Sequence, residues 1–381
     1  MEEAINIISL GIVAYNEQDS LPGLLRQVCA QDFPHERIEI VLVNSASTDN
    51  TRALMEQFAA ENAAGAASAG AGSAGAGSAA GESTGAAGAA GESAGAAGAA
   101  GATAGFVRVQ VLDNPARIQA AGWNVAIQNF TGDALVRVDA HASIPSDFIS
   151  ANVAVLNEGE DVCGGMRPTT IEPGCETPWR QTLYLAEESA FGSSVADYRR
   201  ECEPRYVDSL FHAAYRREVL NKVGLFNEQL LRTEDNDFHY RVRQAGYRIK
   251  LDPRINSKQF IRSSFSRMLK QKYGNGYWVG RTVYVQPGCL KLYHFAPFVL
   301  VAGALLLAAV GAAFTWLPFA VCAALYVLLC CALSIYAVSQ SNERNVTMIA
   351  LPVCFAGIHL SYGIGTLFGL IRGLFTKKGK K

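Results

Sequence analysis

Residues 7–17 read IISLGIVAYNE, an alternating apolar run that ends on three polar side chains, Tyr15, Asn16 and Glu17. The run reads as a strand. Its construction repeats at residues 38–44, 107–112 and 134–139, with helical patterns at 21–31, 51–60 and 118–129 standing between the strands. Strand and helix alternating in this way predict an α/β fold, a largely parallel sheet covered by helices. Such sheets bind ligands beyond the carboxyl ends of their strands. Here those ends carry Tyr15-Asn16-Glu17, Asn44-Ser45 and Asp139-Ala140-His141, all polar.

Composition narrows the function classes. The 381 residues predict two to three domains at roughly 150 residues each. Lys and Arg number 33 against 34 Asp and Glu, a net charge of −1, so no global basic field is available to hold a nucleic-acid backbone. No nucleic-acid partner is expected. Charged residues make up only 18%, against roughly 25% in soluble domains, and apolar residues crowd toward the C-terminus. Part of the chain therefore belongs with a membrane. The nine cysteines form no CxxC pair and no Cys/His metal spacing, and they read as reduced packing residues.

The opening MEEAINIISLGIVAYNEQ has acidic flanks and matches no signal-peptide pattern, so the N-terminal domain is expected to stay in the cytoplasm. Residues 59–105 form an Ala/Gly/Ser tract with almost no large apolar side chain, which predicts a flexible surface insertion. Apolar segments follow at 292–314, 317–338 and 346–370, each long enough for the roughly 20 helical residues that a hydrocarbon core requires. The third contains Pro352, His359, Ser361, Tyr362 and several glycines, so it reads as a packed bundle helix or a re-entrant piece. A cytoplasmic catalytic domain and a cytoplasmic basic tail require an even number of crossings. Two firm crossings plus a third segment of open topology are expected.

Two clusters point to chemistry. Asp139 and His141, at i and i+2 on a strand end, converge on one side, and oxygen with imidazole suits a divalent cation bridging phosphates. Thr233-Glu234-Asp235-Asn236-Asp237 precedes a helical pattern stopped by Gly246. Capping explains one carboxylate there, and Asp237 is assigned to it. Another is then free to serve as a general base. No GxGxxG follows the first strand and no GxxxxGK[ST] occurs, so phosphate is held otherwise, if at all.

Taken in order, AYNE, VNSASTDNT, DAH and TEDND resemble the motifs of the family 2 glycosyltransferases, inverting sugar-nucleotide enzymes of GT-A (Rossmann-like) fold. The resemblance spans about residues 5–281 without the insertion. VRVDAHASIPSDF, VDSLFHAAYRREVLNKVGLF and TEDNDFHYRVRQAGYRI are closer still to the succinoglycan-type glucosyltransferase branch, in which DAH replaces DxD. The resemblance implies a glycosyltransferase domain over 1–58 and 106–288, the insertion 59–105, a membrane domain 289–371 and a basic tail 372–381. It places Ala14, Tyr15, Asn16, Glu17, Asn44, Ser45, Arg117 and Asp139 around a nucleotide-sugar donor. Asp139 and His141 would bind Mg or Mn, and Asp235, with Glu234 beside it, would be the base.

Departures shape the expectation. Asn44-Ser45 stands where the family usually has an Asp that reads the base ring, which leaves the nucleotide open. The QxxRW motif of processive members is missing, so single-sugar transfer is expected. In its region, 271-QKYGNGYW-278 with Arg267, Lys270, Lys272 and Arg281 reads as an interfacial helix at the cytoplasmic leaflet. The expected whole is a multi-pass enzyme of the cell (inner) membrane, moving a hexose to a lipid-linked saccharide in polysaccharide synthesis. The alternatives are a polyprenyl-phosphate sugar synthase and a non-catalytic scaffold.

Overall fold

The computed structural model describes residues 4–69, 105–192, 199 and 202–376. Strand β1 (Ile8–Ala14) leads through α1 (Leu21–Cys29), β2 (Ile38–Asn44), α2 (Thr51–Ala69), β3 (Arg108–Asp113) and α3 (Gln119–Asn129) to β4 (Ala134–Asp139). The four strands are parallel neighbours in the order β3-β2-β1-β4. Alternate side chains explain the layers. Ile8, Leu10 and Ile12 pack with Leu21, Leu24 and Val28 of α1 and Met55 and Phe58 of α2. Val41, Val43 and Leu135 face the other way, beneath Ala120, Trp123 and Ala126 of α3.

The register is what assembles a site. Ala14 pairs with Asn44 and Val13 with Asp139, so three strands end at one level and their polar segments meet there.

The chain continues through β5 (Ala142–Ser143), α4 (Phe148–Asn157), β6 (Val162–Met166), β7 (Thr169–Thr170), α5 (Pro178–Glu188) and β8 (Arg205–Val207). Then come β9 (Ala214–Arg216), α6 (Arg217–Val223), α7 (Glu234–Gln244), β10 (Ile249–Asn256) and β11 (Lys258–Phe260). The sheet grows to eight strands, with β9 antiparallel between β4 and β6, β10 parallel to β6, and β8 antiparallel to β10 at the edge. It is thus mixed, though mostly parallel, and β5, β11 and β7 form a small second sheet.

Two boundaries differ from the sequence reading. Helix α2 runs to Ala69, into the tract expected to be an insertion, because alanine is the best helix former. The remainder of that tract, 70–104, and the tail 377–381 lie outside the described residues. Helix α7 begins at Glu234, so the acidic cluster forms its first turn instead of preceding it.

Beyond α8 (Phe265–Thr282) lie α9 (Ala296–Ala313), α10 (Leu317–Gln340) and α11 (Leu351–Leu374). Three segments, Leu292–Ala313, Leu317–Gln340 and Val346–Leu374, are long and apolar enough to cross a membrane. The third is an unbroken helix after a 3₁₀ entry, Val346–Ala350, and is packed along α8. Helices α8 and α11 run in the same direction and touch through glycine. A Cβ on Gly276 would meet the Tyr362 carbonyl oxygen, and one on Gly369 would meet that of Tyr277. Gly280 and Gly365 make similar approaches to Thr366 and Tyr273. Small residues at such spacing let backbones approach closely.

Lys272, expected among the basic residues of an interfacial helix, is instead buried, and its Nζ lies 2.7 Å from Glu187 Oε1 on α5. Arg199 lies 3.2 Å from the same oxygen. Burial disfavours charge on both Glu187 and Lys272. The second cation, Arg199, helps decide for the ionised pair, and the Glu187 carboxyl falls to about 2.

Gly369→Leu should therefore lower the thermal midpoint of the detergent-solubilised protein, by an overpacking cost of about 1–3 kcal/mol or more. Gly303→Ala, where a Cβ meets nothing within 4 Å, should not lower it. Because the Glu187 carboxyl is depressed in the folded state, its stabilisation is complete above its ordinary pKa of 4.5 and should be lost as pH falls from there through about 2. Midpoints measured across that range should fall less steeply in Glu187→Gln.

Candidate functional site

At the strand ends, loops are fixed by side chain to backbone bonds. Asn16 takes a left-handed conformation, φ 54°, which asparagine tolerates. Its Oδ1 accepts the Thr48 N–H at 2.8 Å, and its own N–H donates to Ser47 Oγ at 3.1 Å. Asn44, buried, accepts the Ser47 N–H at 3.1 Å and donates to Asp113 Oδ1 at 3.3 Å. Ser45 is held by its N–H to the Ala14 carbonyl at 2.8 Å, while its Oγ accepts Asn114 Nδ2 at 3.0 Å.

Asp139 closes β4. Its Oδ2 accepts Arg167 Nη2 at 2.9 Å, and His212 Nε2 lies 3.3 Å from its backbone N and 3.4 Å from Oδ2. His212 Nδ1 is in turn 2.9 Å from Ser257 Oγ. Burial opposes ionisation of Asp139, but His212 and Arg167 overcome it and hold the carboxyl far below the usual range. His212 moves the other way. Burial and the Arg167 charge push it down to about 4. Beyond the strand, His141 Nδ1 lies 3.1 Å from Glu17 Oε1, leaving Nε2 for a ligand.

Opposite stands the first turn of α7. Asp235 Oδ1 accepts Arg137 Nη1 at 2.6 Å. Arg137 projects from β4 between two rings, its guanidinium carbon 4.3 Å from the Trp123 centroid and 4.6 Å from that of Phe226. Contact with both rings restrains the planar cation, and through it the carboxylate. Glu234 differs. Burial first, then the charge of Asp235, push its carboxyl well above the usual range, and its Oε2 has no partner among the described residues. Asp237 is not the cap expected of it: the N-cap is Thr233, no side chain caps the helix, and Asp237 instead pairs with Arg241 at 3.0 Å.

A cleft of about 630 Å³ runs between these walls. It brings together Ala14, Tyr15, Glu17, Ser45, Arg117, Asp139, His141, Glu234 and Asp235. Asn16 and Asn44 are not in its lining; they hold the loops beneath it. Arg167, Arg262, Trp278 and Tyr362 line it and were not anticipated, because only the tertiary fold carries them there.

The donor set suits a divalent cation. A histidine whose second nitrogen meets a carboxylate is oriented and made more basic for a metal, and His141 with Glu17 has that arrangement. No group of three or more His, Cys, Asp or Glu side chains that could hold a metal occurs among the described residues. Ligands from a bound phosphate would have to complete the shell.

The family model for glycosyl transferase family 2 matches residues 9–65 and 97–224. The succinoglycan biosynthesis protein ExoA of Rhizobium meliloti is 28% identical over 206 residues, 52% of this chain, and the chain spans 61% of that relative's length. The dolichyl N-acetyl-alpha-D-glucosaminyl phosphate 3-beta-D-2,3-diacetamido-2,3-dideoxy-beta-D-glucuronosyltransferase of Methanococcus voltae is 21% identical, covering 98% of this chain and 100% of its own. Among solved structures, the mannosyltransferase PcManGT from Pyrobaculum calidifontis, in complex with GDP-Man and Mn2+, superposes with a TM-score of 0.58 at 18% identity. The match covers 99% of this chain and 89% of that one. Ordered motifs, a mostly parallel sheet with polar strand ends and these matches agree: the chain belongs to glycosyltransferase family 2, with a GT-A domain followed by long apolar helices.

Proposed function

We propose that this protein is a membrane-anchored inverting enzyme that transfers a hexose from a nucleotide sugar to a lipid-linked saccharide acceptor in glycan synthesis. The catalytic domain is assigned to the cytoplasmic face. One observation carries the reading: a single cleft joins Asp139 and His141 at one wall, Glu234 and Asp235 at the other, and Trp278 and Tyr362 from α8 and α11. Sugar donor, base and membrane acceptor can meet there. Relatives named for glycan biosynthesis and for a dolichyl-phosphate-linked sugar support the acceptor class.

Each wall has its task. Tyr15, Glu17, Ser45 and Arg117 surround the donor at the strand ends, with Asn16 and Asn44 holding their loops. His141 and Asp139 would hold a divalent cation, Mg or Mn, which would supply charge neutralisation to the departing diphosphate. Asp235 takes the proton of the acceptor hydroxyl as its oxygen bonds to the anomeric carbon, and the bond from that carbon to the diphosphate breaks with its electron pair. Arg137 holds Oδ1 of Asp235, which leaves Oδ2 for the proton. Glu234, protonated, is no base; it can donate a hydrogen bond to the acceptor.

A second reading draws on the same ion pair. An acceptor that is already anionic, a polyprenyl phosphate, needs no proton removed, and an aspartate held by arginine could then serve for position alone.

Membranes containing the protein, offered labelled UDP- and GDP-sugars with Mn and then extracted with organic solvent, should yield label in the lipid phase. Label only in water-soluble product would sink the proposal. Asp139→Ala should abolish transfer, and full activity in EDTA would refute the metal assignment. Asp235→Asn should lower the catalysed rate by about 10²- to 10⁴-fold with donor affinity nearly unchanged, since the loss falls on the transition state. A rate within about tenfold of the parent at saturating substrates would favour the polyprenyl-phosphate acceptor.

A further inference from the structure

Among the described residues, four acids line the cleft, Glu17, Asp139, Glu234 and Asp235. Two of them are paired with arginine. Asp139 holds Arg167 and Asp235 holds Arg137, while Glu17 faces His141 and burial pushes the Glu234 carboxyl up. Arginines are in excess: Arg117, Arg167, Arg199, Arg232 and Arg262 line the same space. Arg167 and Arg199 are engaged with Asp139 and Glu187. Arg117 sits at the strand ends, on the donor side.

Arg232 and Arg262 remain. Arg232 lies over Gly274 of α8 and donates from Nη1 to the neutral Asn275 Oδ1 at 3.1 Å. Arg262, three residues before α8, makes no hydrogen bond or ion pair with any described residue. Burial, and then the charge of Arg262, push the pKa of Arg232 down, as expected of like charges sharing a concave wall. Trp278 and Tyr362 extend that wall toward the apolar helices. A cleft with unpaired charge of one sign focuses its field on an incoming counter-charge. Guanidinium forks match phosphate oxygens two at a time.

We propose that Arg232 and Arg262 form an anion subsite for the phosphate of the lipid-linked acceptor, distinct from the donor diphosphate at the strand ends. The inference rests on the acceptor reading above. The acceptor side is favoured because Arg232 immediately precedes Thr233-Glu234-Asp235 and because the flanking rings come from α8 and α11. The field of Arg262 also reaches Glu17, so the subsite adjoins the donor.

The test is equilibrium binding to the detergent-solubilised full chain, in EDTA, of farnesyl diphosphate, farnesol and inorganic pyrophosphate. Farnesyl diphosphate should bind more tightly than either of the others. Arg232→Ala and Arg262→Ala should each weaken it about tenfold or more, as expected for lost charge-assisted bonds. Arg262→Lys should weaken it less, and Arg52→Ala, at an exposed site on α2, not at all. Thermal midpoints confirm that the variants fold. In turnover, the KM for lipid acceptor should rise while that for donor does not. Unchanged binding in both alanine variants overturns the subsite. So does pyrophosphate binding as tightly as farnesyl diphosphate, which marks a site for free phosphate, or a rise confined to the donor KM. Asp235→Asn should still bind farnesyl diphosphate. Arginine-dependent binding without any lipid-borne sugar product would overturn the acceptor reading alone.

Discussion

The contact between α8 and α11 depends on what is missing from it. At Gly276, Gly280, Gly365 and Gly369 the two backbones occupy the volume in which any side chain would begin. Dispersion at that range is collectively large, and the loss of any partner atom is felt directly. The cleft inherits its geometry from this contact. Trp278 and Val279 reach it from one helix and Tyr362 from the other, so their wall is only as well placed as the seam between them. On the opposite side of α8, Thr233 meets Thr282 at 2.6 Å, hydroxyl to hydroxyl, which ties the turn bearing Glu234 and Asp235 to the same helix.

Within the cleft the electrostatics are divided rather than uniform. Glu234 and Asp235 are adjacent in sequence, yet one is buried without a partner for Oε2 and the other is clamped by Arg137. Burial raises the proton affinity of Glu234, and a perturbed acid in a cleft is a usual sign of a functional site. The clamp itself is protected: Arg137 is buried and stacked between Trp123 and Phe226, so it has little room to move.

Much of this was legible in the primary structure where the information is local. The run into Tyr15-Asn16-Glu17 has the strand period, and a strand has only one carboxyl end, so the fold class and the level of the site follow together. The end of β4 is legible for the same reason. What could not be read are pairings between distant segments. Arg137 lies 98 residues from Asp235, and Arg167 lies 28 from Asp139 across a strand crossing. Asn16 and Asn44, expected beside the donor, make loop hydrogen bonds at the strand ends, since asparagine in a turn suits a ligand and a loop bond equally. The two glycine faces carried a signal that could have been used: Gly276 with Gly280, and Gly365 with Gly369, each four apart on apolar-flanked helices.

A helix pair locked at backbone contact has one depth in a bilayer, not two. Helix α11 is apolar enough to enter hydrocarbon, but it is fastened to α8 from Gly357 against Phe265 to Gly369 against Tyr277. Moving one inward moves the other. Arg267, Lys270 and Arg281 on α8 would then have to follow, at about 2.5–3.5 kcal/mol for each cation at the bilayer centre. The polar helix thus opposes deep insertion of the apolar one.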